Sequence, residues 1–453
     1  MISERFIEYY REHFFQEDEK WLQDFLTALA SPLLKSFRID ETKKSKESVL
    51  DSLKKQWYLP YATNIPNVFT FDRIPDFNPF ERRLGFSLEH LLGYIYIQEL
   101  AAAHSVHVLS DWKVHHDNFL ILDMASSPGW KTTQLAEQYP ESFIIANEPT
   151  RERIPQILQN LDRMGSSNIA VTLYPWQFFS STPEVFDRIL LDAPCSWEGT
   201  VFKTFDAVKN WHIKNIKTIA RLQEKLISAA CTSLKVGWEM IYSTCTLNLL
   251  ENEWVLESIE KNFPGCFEIT FEKKYWPHID GTWGFFVSKI KKLQSVVSKQ
   301  TFPPKSINSD IFPIGKQDIQ HIEWFFDTED IWGYDFFRYK NKILAVRGGK
   351  NAEYARNNFY CMRFWEEIAN IQDGVYKWTH FAGKKLYSSK IPEYKIEWSE
   401  EVLDEYLRWW NLKVDTVIRW YVNLYFENER IGLDFIQDDG TLSNLFPPQW
   451  RRK

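Results

Sequence analysis

At 453 residues the chain is too long for one compact core, and at roughly 100–200 residues per domain it is expected to form about two to four domains. With 44% hydrophobic and 25% charged residues it has a globular composition, which excludes a disordered or collagenous chain. The net charge of −7 excludes a protein that coats nucleic acid by bulk charge and leaves a local basic patch as the means of binding it.

Apolar runs and cysteine spacing further limit the class of protein. No apolar run approaches the roughly 18 residues of a membrane span, and the start of the chain lacks the apolar core of a signal peptide. We therefore expect a cytoplasmic protein with no membrane partner. The five cysteines are widely spaced and include no CxxC pair, so the pattern predicts free thiols, with neither a disulfide framework nor a metal site.

Residues 1–114 are predicted to form a mostly helical module. Amphipathic stretches at residues 5–26 and 88–103 flank a segment at 60–79 that is rich in proline and phenylalanine. The flanking periodicity is that of helices with one apolar face, and the segment between them is expected to be a loop.

Short apolar runs alternate with helical stretches across residues 115–293. The predicted strands are 119–124, 143–147, 169–173, 186–192 and 239–244, and the predicted helices are 131–138, 151–164 and 210–234. This alternation is typical of a doubly wound, mostly parallel α/β sheet. Apolar runs at 267–271 and 284–290 are expected to complete the sheet as antiparallel strands.

Polar residues with a Pro-Pro pair at 294–310 are predicted to be a linker. Beyond the linker, short strands such as 343–347 mix with a helix near 399–410, and the chain ends in basic residues at 450–453. We expect a small α+β module at residues 311–371 and a second one at 372–453.

A strand runs through a turn of small residues into a helix at residues 122–133. In an open α/β sheet this crevice binds nucleotide-like ligands, because the loop backbone approaches closely and the helix N-terminus donates N–H groups. Glu148 ends the next strand, where an acid can accept hydrogen bonds from both hydroxyls of a ribose. Since GxGxxG and GKS are absent, a phosphate-binding loop is not favoured. On this pattern alone, an ordinary strand–turn–helix with a capping acid is the simpler interpretation.

Two cysteines follow the ends of successive predicted strands. Cys195 lies just after Asp192 in Asp-Ala-Pro-Cys, and Cys245 lies in Ser-Thr-Cys-Thr. A lone cysteine is normally a buried packing residue. Two of them at one crevice, one beside an aspartate, indicate nucleophilic chemistry, because a thiolate whose pKa is lowered by nearby donors or positive charge is a strong nucleophile.

Taken together, these segments resemble the consecutive motifs of the RNA (cytosine-5)-methyltransferases that use S-adenosylmethionine. The similar segments are 96–99, 123–133, 144–148, 160–165, 190–200, 240–253 and 277–286. Residues 442–448 are similar to the PUA-like domain of the branch that modifies bacterial 16S ribosomal RNA. The resemblance implies a Rossmann-like methyltransferase core, preceded by an N-terminal helical module that binds RNA and followed by a C-terminal α+β, PUA-like RNA-binding region.

The resemblance also implies an activity, methylation of carbon 5 of a specific cytosine in structured RNA by a monomeric enzyme. The expected substrate is 16S rRNA or the small ribosomal subunit, with tRNA as the alternative. Carbon 5 is too weakly nucleophilic to attack a methyl sulfonium unaided, so a thiolate first adds to carbon 6. By resemblance Cys245 is that nucleophile, Asp192 stabilises charge towards ring N3, and Cys195 assists loss of the carbon 5 proton.

For S-adenosylmethionine the resemblance implies a set of ten binding residues. They are Ala125, Ser126, Ser127, Pro128, Gly129, Trp130, Lys131, Glu148, Arg153 and Asp192. One position departs from the family pattern, which usually presents an aspartate after a tyrosine near the adenine. This chain has Pro175 after Tyr174, and the proline side chain cannot accept the adenine amino proton.

Two other classes of function compete with this interpretation. An RNA-binding assembly factor that has lost catalysis would keep the fold, but it has no need of Asp192, Cys195 and Cys245 together. A nicotinamide-dependent oxidoreductase could use the same sheet, but the pyrophosphate loop that it requires is absent.

The counts of tryptophan and glycine are both abnormal. The chain has 20 Trp and 17 Gly, whereas a glycine share of ~7% corresponds to about 32. Four tryptophans, Trp130, Trp197, Trp238 and Trp283, stand where the resembling family commonly has a small residue, usually glycine. We hypothesise that UGA codons translated here as Trp encode Gly in the source organism, since a tight turn with positive φ penalises any side chain.

Overall fold

The computed structural model describes residues 2–16, 18–32, 35–55, 58–73, 84–111, 113–200, 205–296, 311–364, 366–396, 406, 411–426, 429–443 and 445. The chain divides into two compact units. The first unit comprises residues 1–81, 94–157 and 171–303, and the second comprises 82–93, 158–170 and 304–453. Among the described residues no helix is long and apolar enough to cross a membrane.

The strands are numbered in chain order. They are β1 (Lys35–Ile39), β2 (Tyr58–Ala62), β3 (Val68–Arg73), β4 (Ile95–Ile97), β5 (Leu120–Asp123), β6 (Phe143–Asn147), β7 (Ile169–Thr172), β8 (Phe186–Asp192), β9 (Leu234–Thr244), β10 (Phe267–Tyr275), β11 (Phe285–Lys292), β12 (Ile311–Pro313), β13 (Tyr334–Tyr339), β14 (Lys342–Arg347), β15 (Cys361–Arg363), β16 (Glu366–Gln372), β17 (Val375–Trp378), β18 (Glu393–Ile396), β19 (Leu412–Lys413), β20 (Tyr421–Phe426), β21 (Glu429–Ile436) and β22 (Thr441–Ser443).

The α-helices follow the same numbering. They are α1 (Glu4–Tyr10), α2 (Glu19–Ala30), α3 (Lys46–Lys55), α4 (Leu88–Leu91), α5 (Leu100–Leu109), α6 (Trp130–Gln138), α7 (Ile154–Met164), α8 (Phe205–Lys209), α9 (Ile213–Ser233), α10 (Glu253–Asn262), α11 (Pro277–Asp280), α12 (Lys316–Phe325), α13 (Thr328–Ile331), α14 (Gly349–Asn358) and α15 (His380–Lys385). A π-helical turn, Arg11–Phe15, follows α1, and short 3-10 turns occur at Leu84–Phe86, Arg151–Arg153, Trp176–Ser181 and Glu198–Thr200.

The central sheet of the first unit has the order β10-β11-β9-β8-β5-β6-β7. Strand β5 pairs in parallel with β6 and β8, and β8 pairs in parallel with β9. Strands β10 and β11 are antiparallel additions at one edge. The predicted doubly wound α/β sheet with two antiparallel strands is therefore confirmed. Strands β5 and β6 are buried along their whole length, as in parallel sheets covered on both faces.

The N-terminal part of the first unit differs from the predicted helical module. Residues 35–97 contain an antiparallel sheet with the order β2-β3-β1-β4, so the prediction of a mostly helical module is wrong for this segment. The preceding helices do not form a core of their own either. Phe6, Tyr10 and Phe25 share one apolar cluster with Trp211 and Leu247 of the central part of the chain.

The second unit contains two further sheets. Their orders are β12-β13-β14-β16-β17 and β18-β20-β21-β22-β19. One apolar cluster includes Phe325 and Trp378 from the part of the chain with the first sheet and Tyr421 and Leu433 from the second. The predicted boundary between residues 371 and 372 falls inside β16, so these residues do not separate two modules there.

Some predicted features lie outside the described residues. These are residues 297–310 of the linker, the helix near 399–410 except Tyr406, the basic end at 450–453, and residues 444 and 446–448 of the PUA-like segment.

Candidate functional site

The strand order brings the predicted site residues to one edge of the central sheet. Cys245 follows β9, Asp192 ends β8, the small-residue loop follows β5, and Glu148 follows β6. Since β9, β8, β5 and β6 are consecutive neighbours and parallel, their carboxyl ends lie side by side. The two thiols therefore lie at one end of this edge and Glu148 at the other, and open α/β sheets bind ligands at this edge.

The two cysteine side chains are in contact. Their Sγ atoms lie 2.8 Å apart, and the Gly199 N–H donates to the Cys245 carbonyl at 3.0 Å. Cys195 is buried, whereas Cys245 is half-buried. Burial raises the pKa of the Cys195 thiol well above its ordinary value, and the neighbouring Cys245 and the Glu251 carboxylate raise it further. Cys245 is thus the more accessible of the two thiols.

Asp192 is held by two contacts at the end of β8. Lys131 Nζ lies 2.5 Å from Asp192 Oδ2, and Ser243 Oγ donates to Oδ1 at 2.7 Å. Lys131 is only 3% exposed, so little solvent screens this ion pair. The sequence places Lys131 in the cofactor set, and the structure adds a second role for it as the counter-ion of Asp192.

The loop between β5 and α6 presents backbone to the site. Gly129 has a φ of +102°, which glycine adopts without strain, and caps the N-terminus of α6. The Ser126 N–H donates to the Asn147 carbonyl at 2.9 Å, which ties the loop to β6. Ser127 Oγ is buried and has no hydrogen-bond partner within the described residues. A buried hydroxyl without a partner fits a loop that is completed by a polar ligand.

Glu148 is also oriented by its neighbours. Its Oε1 accepts a hydrogen bond from the Thr150 N–H at 2.9 Å, and Arg153 Nη1 lies 3.5 Å from Oε2. The Glu148 side chain is nearly fully buried and Arg153 is half-exposed. The Glu148 carboxylate is thus held by one N–H group and one guanidinium, just after the end of β6.

The segment that contains Pro175 is anchored by Asn147. The Asn147 side chain accepts from the Tyr174 N–H at 2.9 Å and donates to the Tyr174 carbonyl at 3.1 Å. Trp176, the residue after Pro175, has a buried Nε1–H donor that lacks a hydrogen-bond partner in the described part of the chain. This segment therefore offers an N–H donor next to the position where the resembling family has an acidic acceptor.

Sequence reasoning missed two buried acids in the loops that carry the cysteines. Glu198 follows Cys195, and Glu251 follows Cys245, and both are almost fully buried. Glu198 stands in Ser-Trp-Glu-Gly and Glu251 in Leu-Leu-Glu-Asn, and neither pattern distinguishes a buried carboxylate from a solvated one. Within the described residues, no cluster of three or more His, Cys, Asp or Glu side chains is arranged to hold a metal ion.

The four tryptophans at glycine-like positions differ in backbone conformation. Trp197 has a φ of +65°, whereas Trp130, Trp238 and Trp283 have ordinary negative φ values. Trp238 packs edge-on against Phe119 with ring centroids 5.0 Å apart. The argument from positive φ thus applies to Trp197 alone, and the codon hypothesis remains a prediction, which the codons at these four positions test directly.

Replacing Trp197 with glycine is expected to stabilise the protein. A left-handed backbone costs a residue with a Cβ about 1 kcal/mol, and the Trp197 side chain is 49% exposed, so little packing is lost. Urea unfolding measures the effect. Trp238→Gly is the matched control and is expected to destabilise the protein, because it removes the contact with Phe119 and adds glycine flexibility. A loss of stability in Trp197→Gly would contradict the prediction.

Comparison with known proteins first defines the class. A solved structure described as a methyltransferase homolog protein from Pyrococcus horikoshii is 26% identical to this chain. It superposes with a TM-score of 0.56 and covers 64% of this chain and 95% of its own. The open sheet with its ligand edge at the ends of β9, β8, β5 and β6 is therefore a Rossmann-like methyltransferase fold.

The particular family follows from sequence relatives. Residues 112–291 match the family model described as 16S rRNA methyltransferase RsmB/F. Ribosomal RNA small subunit methyltransferase F of Shewanella loihica is 34% identical over 69% of this chain and 67% of its own length. The protein of the same name from Shewanella piezotolerans is 34% identical over 66% of each chain. The chain belongs to the RsmB/F methyltransferase family. The match to the Shewanella piezotolerans protein spans about two thirds of that protein's length.

Proposed function

We propose that the protein transfers a methyl group from S-adenosylmethionine to carbon 5 of a specific cytosine in 16S rRNA through a covalent intermediate on Cys245. The observation that carries the proposal is the pair of thiols, 2.8 Å apart, at the ends of two parallel strands, with Asp192 ending one of those strands. The names of the relatives from Shewanella support the small-subunit RNA as the substrate.

The residues at the β5 and β6 ends fit S-adenosylmethionine. The unpartnered Ser127 hydroxyl and the backbone of residues 125–131 suit the methionine part, and the Glu148 carboxylate suits the ribose hydroxyls. Arg153 would hold Glu148 in place, and Asp192 would border the same pocket. When bound, the cofactor supplies the methyl group that carbon 5 takes up.

The chain's own residues account for the remaining steps. The Cys245 thiolate adds to carbon 6 of the cytosine, and the electron pair of the 5,6 double bond moves towards carbon 5 and ring N3. Asp192, held by Lys131 and Ser243, shares a proton with N3 and so stabilises the negative charge that develops there. After methyl transfer the Cys195 thiol passes its own proton to solvent, and the resulting thiolate takes the carbon 5 proton. The electron pair of that C–H bond restores the double bond, and Cys245 leaves as a thiolate.

The second unit and the N-terminal segment are proposed to bind the RNA. The sheet with the order β18-β20-β21-β22-β19 would act as the PUA-like part, together with the sheet β12-β13-β14-β16-β17 and residues 1–114. The target base must be unpaired or flipped out of its helix to reach two thiols at the edge of a sheet. We place the protein in the cytoplasm as a monomer, where ribosomal RNA is the accessible substrate.

A methyl-transfer assay tests the proposal. The protein is incubated with methyl-labelled S-adenosylmethionine and 16S rRNA, free or within the small subunit, from a strain that lacks the corresponding gene. Bisulfite sequencing then locates the modified cytosine. Label in tRNA instead would favour the tRNA alternative, and RNA binding without label would favour an assembly factor.

Replacing Lys131 with methionine is expected to lower kcat by about 10²-fold, because the Asp192 carboxylate loses its counter-ion at 2.5 Å. Steady-state kinetics with both substrates measure the effect. Lys261→Met, an exposed position in α10, is the matched control and is expected to leave kcat unchanged. An unchanged kcat in Lys131→Met would show that the ion pair does not serve the reaction.

A further inference from the structure

One buried carboxylate joins the N-terminal helix to both cysteine loops. Glu198 lies in the 3-10 turn after Cys195 and is 1% exposed. Its two oxygens accept five hydrogen bonds, all from neutral donors. The donors are Tyr10 OH at 2.6 Å, Thr246 Oγ1 at 2.6 Å, Asn248 N at 3.1 Å, Asn248 Nδ2 at 2.9 Å and Trp211 Nε1 at 2.6 Å.

A second buried carboxylate extends the same network. Glu251 accepts from the Ser196 N–H at 2.9 Å, from Gln223 Nε2 at 3.0 Å and from Asn248 Nδ2 at 2.7 Å. Burial, with the nearby Glu198 charge as the second cause, raises the pKa of Glu251 to about 7. Asn248 thus donates to both carboxylates, which binds the loop after β8 to the loop after β9.

These hydrogen bonds join residues that lie next to the two thiols, in the loop after β8 and in the loop after β9. On the Cys195 side, the hydrogen-bonded positions are residues 196, 198 and 199, and on the Cys245 side they are Cys245 itself and residues 246, 248 and 251. Hydrogen bonds next to each cysteine therefore hold the two Sγ atoms, which lie 2.8 Å apart. A substitution of Glu198 alters these hydrogen bonds without changing either thiol or the residues proposed to hold the cofactor.

We infer that Glu198 is a positioning residue that sets the separation of Cys195 and Cys245 and links it to the N-terminal helix through Tyr10. The inference rests on the proposed function, because the spacing matters only if both thiols serve one base. It assigns the N-terminal helix a part in the reaction that the sequence motifs do not reveal. Among the described residues, the hydrogen bond that joins Tyr10 to the site is the one to Glu198, so Tyr10 acts on the thiols indirectly.

The Glu198→Gln substitution in the full-length protein tests the inference. The amide keeps the shape of the side chain but turns an NH₂ group towards a hydrogen-bond donor, so at least one contact is lost. We expect kcat to fall by about 10-fold or more, since a misplacement of about 1 Å lowers rates by about 10²-fold. We expect the KM for S-adenosylmethionine to change by less than about 2-fold, because Glu198 lies outside the cofactor set.

Thiol cross-linking measures the spacing without any RNA. A diazenedicarboxamide oxidant takes two electrons and two protons from the Cys195 and Cys245 thiols, which form a disulfide while the reagent is reduced to a hydrazine. We expect this rate to fall by about 10-fold in Glu198→Gln, because disulfide formation requires close approach of the two sulfur atoms. The Tyr10→Phe variant removes one donor and is expected to give a smaller decrease in the same direction.

Glu253→Gln is the matched control, because Glu253 pairs with Lys274 at 2.5 Å and, among the described residues, makes no hydrogen bond to Glu198 or Glu251. The Glu253→Gln variant should have the same cross-linking rate and the same kcat as the wild type. If the cross-linking rate and kcat in Glu198→Gln equal those of the wild type while the unfolding temperature falls, Glu198 is only structural and the inference is wrong. If the wild type methylates no RNA but the cross-linking rate still depends on Glu198, the proposed function fails and the positioning role stands. If Glu198→Gln does not fold, the cross-linking rate and kcat of Tyr10→Phe and Trp211→Phe test the inference instead.

Discussion

The Cys245→Ala protein is expected to bind S-adenosylmethionine and RNA normally and to transfer no detectable methyl groups. Loss of a covalent nucleophile lowers turnover by about 10³-fold or more, since the remaining groups cannot activate carbon 5. Cys245 is half-buried and its removal leaves the β9 backbone intact, so we expect the free energy of unfolding to change by about 1 kcal/mol or less. Methyl transfer, calorimetry and denaturing gel electrophoresis of protein–RNA mixtures measure these effects.

A second free thiol of the same unit provides the control. Cys266 is half-buried, and its Sγ contacts the Pro264 carbonyl at 3.5 Å, in the turn that precedes β10. Cys266→Ala should keep full activity. A Cys245→Ala protein that still forms a covalent complex with RNA would show that another residue is the nucleophile.

The central sheet could be predicted because its strands carry a strong local signal. Residues 120–123, 143–147 and 189–191 are short apolar runs within strands, and each strand is followed by a helical stretch of its own. A strand buried on both faces needs nearly continuous apolar residues, so the pattern can be read without knowledge of the neighbours. The order of the strands then fixes which loops meet at one edge.

The N-terminal sheet could not be predicted in the same way. Strand β1 has the sequence Lys-Ser-Phe-Arg-Ile, in which a polar serine and a charged Arg38 are both buried. Arg38 is buried because it pairs with Glu137 at 2.6 Å and donates to Thr133 at 3.1 Å, residues far away in the sequence. Partners of this kind override local propensity, and the residues alone do not reveal them.

The candidate site likewise has residues that the sequence predicts and contacts that it does not. The positions of Cys195, Cys245 and Glu148 could be predicted, because each follows the end of a parallel strand and such ends meet at one edge. The ion pair of Lys131 with Asp192 and the five hydrogen bonds to Glu198 could not be predicted, because they join segments that only the folded loops bring together. Sequence patterns thus locate the groups that we propose to react or to bind the cofactor, and the structure supplies the groups that orient them.

The Cys195→Ala protein is expected to accumulate a covalent complex with RNA that survives denaturing gel electrophoresis. Without Cys195, Cys245 still adds to carbon 6 and methyl transfer proceeds, but the group proposed to remove the carbon 5 proton is missing. General base catalysis contributes about 10²–10⁴-fold, so release of Cys245 should slow by about that factor while adduct formation remains fast. The smaller side chain leaves a small cavity at a buried position, which is expected to cost about 1 kcal/mol of stability.

A time course with methyl-labelled S-adenosylmethionine separates the two cysteine roles. The Cys195→Ala complex should contain one labelled methyl group per protein and should turn over only once. The Cys195→Ala, Cys245→Ala double variant is the control and should form no complex, because an adduct through Cys245 is the only one that the proposed chemistry allows. If instead Cys245→Ala traps the RNA and Cys195→Ala does not, the two roles are reversed. The buried Cys195 thiol would then be the nucleophile, although burial and its neighbours raise its pKa.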